Sequence, residues 1–489
     1  MSVRTAAVWA MVSQYASFAI QFATSVVLAR WFISPDQLGL FSIAFAAITL
    51  VAFLQDFGVN RFITGERDLT PEKLATAFTI SVVFAGGIAI LAMFAAGPIA
   101  RFYGNPQMLP VARIIAASYL LVPLAIVPQA ICQRRMDFQS NAMIEVGASL
   151  ANAAVACTLA MKGYGALALG WGAFAQQAAR MVVAQWRVRV MLPWPLRLAE
   201  TKPIFQLGGT NSVQAICGSI TARAPELVIG RLIDNAAVGL FARAAGLAMQ
   251  LRLLLAGAVT GVFYPAFRQV RDRGDPLGPP YLRVVAAYTG ITWPAMAGIA
   301  ALSEPIIRLL YGPRWIAAAP LLAWIALSQI CYVALPLNTD LPMLLGRMRQ
   351  LIRRYVAEST ASVLLLAIAA PFGLIWVALS RLVHGLVFVA LYAGLMKDML
   401  GFAWKGLAII YLQSAAVTLA ALVPTAVFFA AWAGPAHAGL GQLALSAALG
   451  ALGWLAALKL LRHPAYREVV ELAGHLRRAL PRPRPAPAA

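Results

Sequence analysis

Charge of either sign is scarce in this chain of 489 residues, of which only 12% are Asp, Glu, Lys or Arg. Soluble globular proteins carry about 25% charged and about 45–50% apolar residues. Here 61% of the residues are hydrophobic and the mean hydropathy is +0.77. A soluble protein is therefore excluded. The apolar runs are also uninterrupted, which excludes a transmembrane barrel, because the strands of a barrel alternate over about ten residues.

Cysteine is rare as well. Cys132, Cys157, Cys217 and Cys331 lie far apart, mostly within apolar runs, and their spacing is not that of a metal or redox site. They are predicted to be buried small hydrophobic residues, and we expect no metal ion and no cofactor. Long polar stretches that could form a soluble catalytic domain are absent too. An enzyme is therefore not expected.

Long apolar segments are what the chain has in abundance. A membrane-spanning helix needs about 20 predominantly apolar residues, and the pattern predicts an all-α polytopic membrane protein with about fourteen transmembrane helices. The predicted spans are 6–29, 39–60, 75–97, 110–131, 141–161, 166–186, 205–230, 238–263, 282–303, 319–341, 355–371, 374–396, 405–431 and 441–460.

Lysine and arginine are distributed unevenly between the two sides of the predicted membrane. With the amino terminus inside, 27 of the 39 Lys and Arg residues fall in inner segments or at the inner ends of spans, six in outer segments and six deeper within spans. This positive-inside bias predicts that both termini are cytoplasmic. The net charge of +21 is then explained by topology and by contact with anionic membrane lipids, so nucleic acid is not expected as a partner.

Two segments of the chain recur at a nearly constant distance. Arg30–Phe41 matches Arg231–Phe241, with an offset of 201 residues at the arginine and 200 at Gly-Leu-Phe, and Pro98–Gly104 matches Pro305–Gly312. Each matched pair lies on the same side of the predicted membrane. An even number of helices in each repeat makes the repeats parallel, and transporters are often built in this way.

The recurrence predicts four regions. Residues 1–190 form an amino-terminal lobe of six helices, and residues 205–396 form a pseudo-symmetric second lobe. Residues 405–460 add two carboxy-terminal helices. Residues 461–489 form a cytoplasmic tail whose Pro-rich end is predicted to be disordered. A cleft between the lobes that opens alternately to either side is typical of a transporter.

Four short motifs carry a family resemblance. They are Ser34–Phe41 in the first outer loop, Arg134–Phe138 before the fifth span, Gly163–Ala168 before the sixth, and Gly239–Ala244 at the start of the eighth. With these motifs the chain resembles bacterial polysaccharide flippases of the multidrug/oligosaccharidyl-lipid/polysaccharide exporter superfamily. The similarity covers essentially the first 400 residues.

The resemblance implies a function and a location. It implies translocation of an undecaprenyl-diphosphate-linked oligosaccharide from the cytoplasmic to the periplasmic leaflet of the bacterial inner membrane, for the synthesis of a surface polysaccharide. The lipid-linked oligosaccharide is then the substrate. A polysaccharide polymerase and glycosyltransferases are further implied partners.

Several charged residues lie inside predicted spans, where a charge costs about 2.5–3.5 kcal/mol on insertion scales. Arg223 and Glu226 share a helix face, Arg243 lies at a similar depth to Glu226, and Arg252 lies deeper. Guanidinium groups match the oxygens of a diphosphate, so the three arginines are predicted to bind the diphosphate and Glu226 to orient Arg243. The alternative is that these residues pair within the scaffold. The matching positions of the first lobe are Phe22, Ser25, Ile43 and Ala52.

The first lobe contributes a polar stripe. Gln14, Ser17, Gln21 and Thr24 recur every three to four residues and lie on one helix face, and Asn60 lies at the inner end of the second span. These side chains are candidates for lining a cavity and binding sugar hydroxyls. The alternative is that they hold neighbouring helices together.

Two further pairs are candidates for coupling. Asp56 is either a coupling group or an ion-pair partner of Arg61. Arg381 and His384 share a helix face and form a second possible cluster, for packing or for proton relay.

Three other functions stay open on the sequence. A peptidoglycan-precursor flippase would also recognise a diphosphate. A multidrug exporter of the same superfamily would favour acidic residues in its cavity, whereas this interior is rich in arginine. A membrane glycosyltransferase or ligase would need positioned carboxylates, of which few lie near the outer face.

Overall fold

The computed structural model describes residues 3–52, 58–66, 68–188, 202–431 and 438–466, and all regular elements in these residues are helical. The helices of the first half of the chain are α1 (Val3–Val27), α2 (Pro35–Val51), α3 (Val59–Gly65), α4 (Pro71–Phe102), α5 (Met108–Ser118), α6 (Val122–Arg134), α7 (Phe138–Met161), α8 (Ala166–Arg187) and α9 (Lys202–Leu232). A π-helical turn, Leu28–Phe32, extends α1.

The second half continues in the same way. Its helices are α10 (Asn235–Arg273), α11 (Gly278–Ala301), α12 (Ser303–Tyr311), α13 (Ala319–Val333), α14 (Asp340–Leu344), α15 (Met348–Ala369), α16 (Leu374–Leu400), α17 (Trp404–Ala431) and α18 (Leu440–Leu460). Short 3₁₀ turns cover Tyr119–Leu121, Pro313–Ala318 and Ala370–Phe372.

The chain divides into two compact units. The first unit comprises Met1–Arg243, Leu310–Ala317 and Tyr355–Val377, and the second comprises Ala244–Leu309, Ala318–Arg354 and Ala378–Ala489. In the first unit α7 packs along α1 and α8, while α2 packs on α5 and α9. In the second unit α11 packs between α13 and α17, and α11, α17 and α18 surround an apolar cavity of about 490 Å³.

Eleven helices of the described residues are long and apolar enough to cross a membrane, which confirms an all-helical membrane architecture. Three predicted spans fall on helices outside this set. They lie on α2, which has only 17 residues, and on α8 and α9. Polar residues such as Arg180 in α8 and Arg223 in α9 interrupt the apolar run of the last two. The number fourteen and the division into four regions stay predictions, and most of the predicted tail lies outside the described residues.

Two predicted spans are not continuous helices. The span 39–60 is wrong in this respect, because α2 ends at Val51 and Gly58 adopts φ +78°, a left-handed conformation that stops a helix. The span 319–341 is interrupted between Val333 and Asp340, where Pro336 cannot donate a helical hydrogen bond and Leu337 has φ +56°.

The matched segments at the starts of α2 and α10 fold alike and pack together in the first unit. The Ser34 hydroxyl accepts a hydrogen bond from the backbone N–H of Gln37, at 3.3 Å, and the Asp234 carboxylate accepts one from that of Ala237, at 2.6 Å. A Cβ at Gly39 would lie 1.6 Å from the Asn235 carbonyl oxygen. One at Gly239 would lie 1.9 Å from the Pro35 carbonyl oxygen. The two backbones therefore cross in direct contact.

Candidate functional site

Arg243 is fixed by three parts of the first unit. Its guanidinium group donates a hydrogen bond to the Ser25 hydroxyl on α1 and lies over two aromatic rings, with its Cζ 5.0 Å from the ring centre of Tyr311 and 5.3 Å from that of Trp315. Cation–π contacts of this kind strengthen when the group is desolvated. The indole N–H of Trp315 in turn donates to the carbonyl of Ala29 at 2.8 Å, within the π-helical turn. The guanidinium is therefore held in one orientation.

Arg223 lies on α9, the helix that precedes α10 in the chain, in the same unit. Its Cζ is 4.9 Å from the ring centre of Phe45 on α2. Arg223 and Glu226 are both half-buried, and both lie on the continuous helix α9, so their spacing of three residues places them on one helix face as predicted. The role of Glu226 in orienting Arg243 stays a prediction.

The second unit holds Arg252, the third predicted phosphate ligand. It lines a polar cavity of about 180 Å³ together with Tyr288, Tyr332, Asn338 and Asp340. One of its terminal nitrogens lies 3.0 Å from the Met249 sulfur.

Buried donors of Arg243 and Arg252 lack partners among the described residues. The Nε–H of each is buried and makes no hydrogen bond there, and neither guanidinium forms an ion pair within the same residues. Arg180 and Arg308 also have an unsatisfied Nε–H, but both form ion pairs at 3.0 Å, with Glu145 and Glu304. What distinguishes Arg243 and Arg252 is the absence of an ion pair among the described residues, and because buried polar groups are normally satisfied, these two guanidinium groups are candidates for binding an anion.

Arg381 and His384 meet at one hydroxyl, as their shared face predicted. The Tyr332 hydroxyl lies 2.5 Å from His384 Nδ1, and Arg381 donates to it at 3.4 Å. His384 is fully buried. The second predicted cluster therefore supports the wall of the Arg252 cavity.

The polar stripe of α1 has mixed surroundings. Gln21 donates to the Ser149 hydroxyl on α7 at 3.3 Å, and Thr24 bonds the carbonyl of Ile20 in its own helix at 2.7 Å. The Gln21 bond joins two helices, which favours the alternative that this residue holds neighbouring helices together, whereas the Thr24 bond stays within α1 and favours neither interpretation. The Ser17 hydroxyl is buried without a partner among the described residues, and Gln14 is exposed.

The inner end of the second predicted span lies partly outside the described residues. Asp56 is among the residues that are not described, so its pairing with Arg61 stays a prediction. Asn60 is half-buried and Arg61 is exposed on α3. No group of three or more His, Cys, Asp or Glu side chains within the described ranges is placed to hold a metal ion.

The motif Arg134–Phe138 forms a turn between α6 and α7. Arg134 donates to the backbone carbonyls of Ile63 and Glu66, and Met136 adopts φ +54°. Burial raises the pKa of Asp137, but hydrogen bonds from the Ser140 side chain and backbone and the charges of Arg187 and Arg135 outweigh this effect, so the pKa is lowered overall. The Asp137 carboxylate thus caps α7 in its charged form, and this motif is structural.

Sequence reasoning missed two sets of residues. The first is a polar network in which Gln129 donates to Glu145 at 2.6 Å and Arg180 forms an ion pair with the same carboxylate. Their helix positions gave no signal of contact, because the three residues come from three helices. The second set lines the Arg252 cavity. Its signal was Pro336 and Asp340 inside a predicted span, because such residues break membrane helices where they line a cavity.

Comparison with known proteins identifies relatives by sequence. The polysaccharide biosynthesis protein family matches residues 27–320. The chain is 26% identical to the succinoglycan biosynthesis transport protein ExoT of Rhizobium meliloti (strain 1021), over 69% of this chain and 68% of that protein. It is 22% identical to the lipopolysaccharide biosynthesis protein WzxC of Escherichia coli (strain K12), over 67% of this chain and 66% of that protein.

Solved structures agree on the fold. The lipid II flippase MurJ in an inward closed conformation superimposes with a TM-score of 0.75 and 15% identity, over 95% of this chain and all of that chain. An inward-facing multidrug resistance transporter of the MATE family, from the same exporter superfamily, gives a TM-score of 0.59 and 16% identity, over 80% of this chain and 98% of that chain. ExoT is named as a transport protein, MurJ as a flippase and the MATE protein as a transporter, which confirms the expectation of a transporter and not an enzyme. The chain belongs to the polysaccharide biosynthesis protein family.

Proposed function

We propose that the protein moves an undecaprenyl-diphosphate-linked oligosaccharide from the cytoplasmic to the periplasmic leaflet by alternating access, for the synthesis of a surface polysaccharide. The relatives named for succinoglycan and lipopolysaccharide biosynthesis support this substrate class. The observation that carries the proposal is that Arg243 and Arg252 lie within apolar helices, keep a buried, unsatisfied Nε–H and, unlike Arg180 and Arg308, form no ion pair among the described residues.

In this proposal Arg223, Arg243 and Arg252 bind the diphosphate and Glu226 orients Arg243. Arginine suits the task because it keeps its charge when buried and offers a planar set of donors to phosphate oxygens. The cation–π contacts of Arg223 and Arg243 support it, since they hold both guanidiniums without neutralising them. Removing one charge-assisted hydrogen bond is expected to weaken binding by about tenfold to a hundredfold.

The decisive experiment is flipping in proteoliposomes. Undecaprenyl-diphosphate-linked oligosaccharide is incorporated, and the fraction that reaches the opposite leaflet is measured with an impermeant glycan-modifying reagent. Wild-type protein is expected to flip the lipid, and Arg243→Ala and Arg252→Ala are expected to fail.

The exposed Arg349 provides a matched control, and Arg349→Ala is expected to act as wild type. Equal flipping by Arg243→Ala, Arg252→Ala and wild type would leave the arginines as scaffold. Transport of cationic drugs in place of the lipid would favour the multidrug exporter.

The proposal includes an orientation in which both termini are cytoplasmic. It rests on the excess of lysine and arginine in the predicted inner segments. A cysteine introduced by Pro435→Cys is then expected to react with an impermeant reagent from the periplasmic side. Reaction only from the cytoplasmic side would reverse the topology.

A further inference from the structure

A polar cavity in the second unit lies where a membrane helix is interrupted. It has a volume of about 180 Å³, and Arg252 on α10 and Tyr288 on α11 form part of its wall. The rest of its polar wall comes from Tyr332 at the end of α13 and from the segment that follows, with Asn338, Thr339 and Asp340.

The interruption itself is unusual. Between Val333 and Asp340 the backbone leaves the helical path, and Leu337 holds φ +56°, a conformation that costs energy for a residue other than glycine. One freed carbonyl, that of Ala334, accepts a hydrogen bond from the Tyr411 hydroxyl at 2.8 Å. Irregular backbone is tolerated among membrane helices where it lines a cavity, and broken helices of this kind form substrate sites in transporters.

The aromatic wall of the cavity is held in place. The Tyr332 hydroxyl is fixed by His384 and Arg381, and its ring packs on Phe388 with ring centres 5.4 Å apart. Tyr288 is buried. Both tyrosines therefore present a defined surface, which lowers the entropy lost when a ligand binds.

We propose that this cavity binds one sugar residue of the lipid-linked headgroup, which rests on the function proposed above. The cavity of about 180 Å³ holds several waters and is large enough to admit one sugar ring. The wall combines two phenol rings, for the apolar ring face, with the carboxylate of Asp340 and the amide of Asn338, for hydroxyl groups.

Arg252 gives the sugar a defined direction. Its guanidinium lies at the same cavity as Asn338 and Asp340, so a diphosphate bound to Arg252 places the sugar that is bonded to it beside these two residues. Sugar hydroxyls donate to the Asp340 carboxylate and accept from the Asn338 amide. Arg252 thus serves the phosphate, and Asn338 and Asp340 serve the sugar.

The test compares two lipids on the full chain in lipid nanodiscs. Binding is measured for undecaprenyl diphosphate and for undecaprenyl diphosphate that carries a single hexose. Wild type is expected to prefer the glycosylated lipid. Asp340→Asn and Asn338→Ala are each expected to reduce this preference by about tenfold without weakening the binding of the bare diphosphate, and Asp340→Asn removes a negative charge that opposes it. Arg252→Ala is expected to weaken both.

A matched control is Asp398→Asn, because Asp398 is exposed and outside the cavity, and it is expected to keep the wild-type preference. If both cavity variants keep the wild-type preference for the glycosylated lipid, the sugar site is wrong and the proposed function is unaffected. An equal loss of both affinities in the cavity variants also overturns the sugar site, because it would assign Asn338 and Asp340 to the phosphate or to the fold. Failure of wild type to bind either lipid overturns the proposed function as well.

Discussion

The starts of α2 and α10 are alike in backbone and unlike in chemistry. Both begin at a side-chain cap, and both place a glycine, Gly39 or Gly239, against the backbone of the other. Four residues later the two copies differ. Ile43 packs against Gly230, where a Cβ would lie 2.6 Å from its Cδ1, whereas Arg243 contacts Ser25 and two aromatic rings.

A second pair of contacts also joins the two copies, each a hydrogen bond from an aromatic side chain to a backbone carbonyl. In the first copy the Tyr103 hydroxyl donates to the Leu227 carbonyl on α9 at 3.1 Å, and in the second the Trp315 indole donates to the Ala29 carbonyl after α1 at 2.8 Å. Each copy therefore supports the other by similar contacts. The duplication of the whole lobes stays a prediction. The two matched segments nevertheless pack on each other through similar contacts, and only the second of them carries a guanidinium group at this position.

The largest effect is expected where the two copies touch. Gly39→Leu and Gly239→Leu place side-chain atoms inside the space of a backbone carbonyl, so the helices must separate. The cost is expected to exceed the ~1–3 kcal/mol typical of overpacking, and folded protein in the membrane is expected to disappear. Size-exclusion chromatography of fluorescently tagged protein measures this. Gly246→Ala in α10 is the control, because no atom lies within 4 Å of its added Cβ, and normal amounts of Gly39→Leu would contradict the close contact.

The next effect separates chemistry from packing at the equivalent positions. Arg243→Ala is expected to abolish glycan export at normal membrane abundance, because each lost charge-assisted hydrogen bond costs about 1.5–3 kcal/mol of binding. Arg243→Lys is expected to restore export only in part, because lysine lacks the planar set of donors. Export per molecule of membrane protein is the measurement.

Ile43→Ala is expected to reduce the amount of folded protein and not its export activity, the opposite of Arg243→Ala. Ile43 is fully buried, and removing a buried isoleucine costs about 2–5 kcal/mol of stability. Less protein is then expected in the membrane, with unchanged export per molecule. Equal losses of export per molecule in Ile43→Ala and Arg243→Ala would show that the position matters only for packing.

A smaller effect distinguishes the two supporting hydrogen bonds. Tyr103→Phe removes one donor to a backbone carbonyl and is expected to cost about 0.5–1.5 kcal/mol of stability. Trp315→Phe removes a donor and also shortens a fully buried side chain, so it is expected to cost more. Only Trp315→Phe is expected to slow flipping, since Trp315 also lies against Arg243. Melting temperature and flipping rate are measured for both variants, and slowed flipping in Tyr103→Phe at equal stability would contradict the asymmetry.

The sequence predicted the helices well because their apolar runs are long. It also placed Arg381 and His384 correctly on one face, since a spacing of three residues within a single helix determines this. It missed the break between Val333 and Asp340, because a hydropathy window averages over Pro336 and Asp340 within a mostly apolar stretch. It did not predict the contact of Arg243 with Tyr311 and Trp315, because contacts between distant segments depend on packing that no local pattern encodes.

The smallest effect concerns two turns that the duplication predicts to be equivalent. Gly104 and Gly312 end the matched segments and have φ +65° and φ +87°. No atom lies within 4 Å of a Cβ added at either residue, so conformation alone, and not space, opposes a side chain. Gly104→Ala and Gly312→Ala are each expected to cost about 1–2 kcal/mol, and asparagine at either position is expected to cost less, because it tolerates the left-handed region.

Gly86→Ala within α4 is the control and is expected to stabilise by about 0.5–1 kcal/mol. Thermal unfolding of the three alanine variants measures these differences. Equal losses for Gly104→Ala and Gly312→Ala would extend the equivalence of the two copies beyond the α2 and α10 contact, whereas a loss in only one of them would confine it to that contact.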